Sequence, residues 1–87
     1  MARVLCNLSE GMFTNEYAVE VVLSGGGTAS FFLDKNFVSI NGTDRTGFIY
    51  VNVVKELANK DLAVLLPKEA LEQGTRWVNV PRDRVFD

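Results

Sequence analysis

Histidine is absent from this 87-residue chain, and cysteine occurs once, at Cys6. The first absence removes the side chain most used as a general base or metal ligand near neutral pH. The second rules out an internal disulfide and any cysteine-rich zinc site. Without a histidine partner Cys6 has no context that would activate a thiolate, so it reads as a core residue. Carboxylates remain, but no spacing brings two of them together. Glu16 and Glu20 lie roughly 13 Å apart along one strand face, too far for an acid–base pair. Asp34 and Asp44 fall in a separate polar segment. Catalysis would need a pore shared by a symmetric assembly, and no cofactor or metal is expected.

An excess of positive charge is also missing. Nine Lys and Arg against eleven Asp and Glu give a net charge of −2. Phosphate neutralisation needs clustered cations, so the balance argues against a general nucleic-acid binder. No apolar run approaches the roughly 18 residues that would span a bilayer. The opening "MARVLCNL" lacks the apolar core of a signal peptide, which makes a cytosolic location and no membrane partner the expectation.

What is present is a generous apolar share, 47% of residues, in a length that suits one domain. A domain of this size buries only about 60–65% of its unfolded surface. Much of that apolar share recurs with period two. Ala2, Val4, Cys6 and Leu8 share one face of a first strand, with Arg3, Leu5 and Asn7 on the other. In "EYAVEVVLS", Tyr17, Val19, Val21 and Leu23 alternate with a face carrying Glu16 and Glu20. "GGG" at 25–27 then breaks the run before "TASFFL" resumes it, the pattern of a hairpin. A phosphate loop would need a following helix, and a β-type run follows instead.

Residues 34–47, "DKNFVSINGTDRTG", read as the longest irregular segment, with Phe37, Val38 and Ile40 tucked under the barrel edge. "GFIYVNVVKEL" is β-branched and aromatic, which favours a strand over a helix. Its Ile49, Val51 and Val53 face one way, and Phe48, Tyr50, Asn52 and Val54 the other. "ANKD" is a turn into a buried strand, "LAVLLP". "PKEALEQG" predicts one short helical turn near 68–73 that starts at a proline and ends at Gly74. In "TRWVNV", Val78 and Val80 face inward with the stem of Arg76, while Trp77 and Asn79 face out. Together these segments predict an all-β fold, a small antiparallel barrel of five to six strands in one domain, residues 1–87.

The closing segment Val80-Pro81-Arg82-Asp83-Arg84-Val85 resembles the end of SH3-like barrels, where a strand, a 3₁₀ turn and a last short strand follow one another. The resemblance covers about a dozen residues and implies a barrel. The aromatic that such ends carry is replaced by Arg84, and the aromatic motif used for proline-rich peptides has no counterpart here.

Three functional expectations follow. The two-sided apolarity of residues 48–54 leaves Phe48 and Tyr50 needing cover, which points to a non-catalytic module that binds a second copy of itself. A groove beside loop 34–47, with Phe37, Tyr50 and Trp77, could take a peptide or small ligand. Arg76, Trp77, Arg82 and Arg84 could grip single-stranded nucleic acid, with a base stacked on the indole.

Overall fold

The computed structural model describes residues 1–87, the side chain of Asp44 excepted, so the Asp44 carboxylate named above lies outside the described residues. Eight strands run through the chain: β1 (Ala2–Glu10), β2 (Glu16–Val22), β3 (Thr28–Asp34), β4 (Val38–Asn41), β5 (Thr43–Glu56), β6 (Leu62–Leu65), β7 (Trp77–Val80) and β8 (Val85–Phe86). Six of them form one antiparallel path in the order β3-β2-β1-β5-β6-β7. β4 pairs with β5, and β8 pairs with β1. The result is a nearly closed small barrel. Among the described residues no helix is long and apolar enough to cross a membrane.

Alternation decides which residues form the core. Val4, Cys6 and Leu8 point inward from β1, as do Val19 and Val21 from β2 and Ala29, Phe31 and Leu33 from β3. Ile49 and Val51 of β5, Leu62 and Val64 of β6, and Val78 and Val80 of β7 complete it. Each inward residue skips one position along its strand, as a pleated backbone requires.

Closure depends on β1. Its residues Asn7 to Glu10 pair with β2, and Arg3 and Val4 pair with β8 along the same edge. β5 takes its other edge. The ends of the path are joined by single bonds rather than a ladder. The Ser24 N–H donates to the Asn79 carbonyl (2.9 Å), and the Leu71 N–H donates to the Ser30 carbonyl (2.8 Å). Asp61 strengthens the first junction: its carboxylate accepts the Ser24 hydroxyl (2.7 Å) and the Arg82 N–H (3.4 Å).

The segment 34–47 differs from the irregular loop expected. It holds a 3₁₀ turn (Lys35–Phe37), all of β4 and the start of β5. Asn41-Gly42 is the tight turn of a β4–β5 hairpin, with Gly42 at φ +79°. Gly47 lies inside β5, where close packing demands it. A Cβ there would stand 2.7 Å from the Ser39 carbonyl oxygen and 2.9 Å from Leu8 Cδ1. Phe37 does not tuck under the barrel; it is 66% exposed. The cause is local, since the Asp34 carboxylate accepts the Asn36 N–H (2.8 Å) and caps a turn that leaves Phe37 outside. Ile40 is likewise exposed on the projecting hairpin.

Smaller differences follow from bends. Val53 shares the inner face of β5, yet it is exposed, because the register shifts between Val53 and Lys55 at the strand end. Arg76 does not pack inward with the valines. It is exposed, and its Nε donates to the Leu66 carbonyl (2.7 Å). The turn expected near 68–73 is a single α-turn: the Gly74 N–H reaches back to the Ala70 carbonyl (2.8 Å), with Gly74 at φ +66°. Ala70 is its one buried anchor.

Candidate interaction surface

The outward positions of β1, β5, β6, β7 and β8 can be read from the register as cross-strand rows. Arg3 of β1 lies between Phe86 of β8 and Tyr50 of β5. Leu5, Phe48 and Ser39 are neighbours across β1, β5 and β4. Asn52, Leu65 and Trp77 are neighbours across β5, β6 and β7. In β5, Phe48, Tyr50 and Asn52 lie two residues apart and share the outer face. Three of the expected residues, Phe48, Tyr50 and Trp77, therefore belong to one side of the sheet.

Cover over this face is uneven. The Phe48 ring meets Phe86 edge-on, with centroids 5.5 Å apart, and the Arg3 guanidinium sits 4.7 Å from its centre. Phe48 is accordingly half-buried. The other rings stay more open: Tyr50 is 56% exposed, Trp77 46% and Phe86, despite its contact with Phe48, 41%. Phe37, on the capped turn, stands apart from these rows.

Two of the arginines of the last segment already have partners within the chain. Arg76 ties the end of β6 to the start of β7 through the Leu66 carbonyl. The Arg82 guanidinium lies 3.4 Å from Glu56, an exposed pair with little effect on stability. Arg84 sits in the 3₁₀ turn Arg82–Arg84, partly buried, and its Nε has no hydrogen-bond partner among the described residues. Phosphate contacts would compete with these roles at Arg76 and Arg82.

Cys6 is fully buried against Gly47, whose carbonyl accepts from the thiol at 3.3 Å. Burial pushes the thiol up to about 12, against a smaller opposing pull from Arg84. A thiol held neutral in this way is not a nucleophile at neutral pH. Among the described residues no cluster of three or more carboxylates and thiols could hold a metal ion.

Some members of the outer face escaped the sequence reading. Leu5, Leu65 and Phe86 complete its rows. Leu5 was visible as the one large apolar residue on the second face of β1, between Arg3 and Asn7. Phe86 was not assigned to this face, because nothing local shows that β8 returns to β1.

No protein family, curated protein or solved structure matches this chain.

Proposed function

We propose that this protein is a non-catalytic interaction module, built on an SH3-like barrel, that associates with a second copy through the outer face of β1, β5, β6, β7 and β8. The barrel geometry is compatible with that frame. β7, the 3₁₀ turn Arg82–Arg84 and β8 follow one another as such barrel ends do. The observation that carries the reading is the exposure of three aromatic rings, Tyr50, Trp77 and Phe86, at outward positions of a small barrel. Aromatic side chains carry 150–250 Å² each, so three half-exposed rings leave on the order of 300 Å² uncovered per chain. With Leu5, Leu65 and Val54 around them, that approaches the apolar centre of an interface burying about 800 Å² per partner. A symmetric pair joins identical patches, so one such face suffices for a dimer.

Light scattering after size exclusion tests this. The expected mass is a multiple of 9.7 kDa, falling to the monomer in Trp77→Glu and Tyr50→Glu with the melting temperature of the monomeric fold retained. A wild-type monomer at micromolar concentration overturns the reading.

A further inference from the structure

The outer edge of β3 is only partly covered by the rest of the chain. In the β2–β3 hairpin the Leu23 N–H donates to the Gly27 carbonyl. With the register Val21↔Ala29, Val19↔Phe31 and Tyr17↔Leu33, the odd-numbered residues of β3 turn their ladder groups toward β2. The even-numbered residues therefore turn theirs to the outer edge. The chain's own bonds agree: the Ser30 carbonyl accepts the Leu71 N–H (2.8 Å), and the Thr28 carbonyl accepts Gln73 Nε2 (3.1 Å).

That cover stops one step further along. The Phe32 N–H and C=O face the same edge and have no partner among the described residues. Here the covering segment swings away, and a cleft of about 440 Å³ opens between the β3 edge and Pro67–Lys68. Phe32, Leu33 and Phe37 are among its lining residues, and the Phe37 ring is exposed. Charge is divided along it, with Glu16 and Asp34 among the lining residues and Lys68 on the facing wall. An unpaired donor and acceptor on one strand, beside an apolar cleft, is the chemistry that takes an added strand.

We propose that this edge receives an extended segment of another protein. Its backbone continues the β3 ladder at Phe32, an apolar side chain enters the cleft against Phe37, and a basic residue lies toward Glu16 and Asp34. The backbone bonds favour a peptide over a compact small molecule. The site is separate from the outer aromatic face, so either can fail without the other.

The first measurement needs no ligand. Amide hydrogen exchange on the free protein reads the edge directly: Phe32 should exchange about tenfold or more faster than Phe31 and Leu33, whose N–H groups are held by β2. Equal protection at all three overturns the proposal. So does protection of Phe32 that rises with protein concentration, since a second copy then fills the edge. The second measurement uses random decapeptides displayed on phage and selected on the immobilised protein, with the enriched peptides then synthesised. They should shift the amides of Phe32, Asp34 and Lys68 in heteronuclear spectra. Phe32→Pro removes the outward N–H together with the ring that lines the cleft and leaves the β2 ladder in place, because proline is tolerated on an edge strand. It should weaken those peptides about tenfold, with Phe31 and Leu33 still protected as the sign of an intact fold. Phe37→Ser should weaken them without altering Phe32 exchange in the free protein. Failure to enrich any binder, or shifts confined to Tyr50 and Trp77, overturns the proposal.

Discussion

β5 has two faces of similar composition and opposite fate. Ile49 and Val51 are 1% and 2% exposed, while Tyr50 between them is 56% exposed. The inner face is so full that even a methyl group at Gly47 would collide with Ser39 and Leu8. The outer face has one covered ring, Phe48, and open surface beyond it. Apolar character therefore does not say how much of a strand this fold can bury. A barrel of this size has one interior, and apolar residues beyond its capacity remain on the surface.

The largest test of that contrast is a pair of truncations. Ile49→Ala should lower stability by about 2–5 kcal/mol, the range for emptying a well-packed core site. Tyr50→Ala, one residue away, should change the stability of the monomer by less than about 0.5 kcal/mol. Urea unfolding of both at a concentration that keeps the chain monomeric gives the comparison, and equal losses would break it.

Cys6 tests the inner face from a different direction. Its pKa is raised from 9.0 to about 12 on folding. Above pH 9 the unfolded chain therefore loses a proton that the folded chain keeps, and deprotonation favours the unfolded state. Stability should hold below pH 9 and fall between pH 9 and 12, with a limiting slope of about 1.4 kcal/mol per pH unit. Urea titrations across that window should show a shallower slope in Cys6→Ala. An unchanged slope would mean that water reaches the thiol.

Gly47→Ala should cost about 1–3 kcal/mol by overpacking. The obstructing atom is a backbone oxygen of β4, so relief requires the hairpin to shift. The thermal midpoint checks this, and a neutral result would show that β4 is held loosely. A smaller effect than at Gly47 is expected at Phe48. Phe48→Leu keeps contact with Leu5 and loses the edge-on ring and the cation, a change of about 0.5–1.5 kcal/mol. It would place Phe48 between the two extremes.

Much of the barrel was legible because alternation is a local property. The inward residues of β1, β2 and β7 follow from period two alone, and "GGG" and "ANKD" mark the β2–β3 and β5–β6 hairpins. The segment 34–47 was misread because its signals are ambiguous without tertiary context. Asn-Gly marks a loop or a tight hairpin equally well, and Gly47 reads as flexibility until Ser39 and Leu8 are seen pressing on it. Tyr50 and Trp77 could be placed outside from their inward neighbours. Their grouping with Phe86 could not, because it depends on β8 pairing with β1 across more than eighty residues. The bare edge at Phe32 was hidden for a related reason: it depends on where residues 67–73 leave β3.

That long-range pairing also bears on how quickly the protein folds. Arg3 lies opposite Phe86, and Val4 opposite Val85, so the last clasp needs the two ends of the chain to meet. Closing a loop of that length carries an entropic cost that grows only slowly with its span, but the cost falls before any contact across the seam repays it. β-rich domains dominated by such distant pairings fold in milliseconds to seconds rather than microseconds. Where the clasp is open, the edge of β1 at Arg3 and Val4 is unpaired, and an unpaired strand edge is a template that a neighbouring chain can capture.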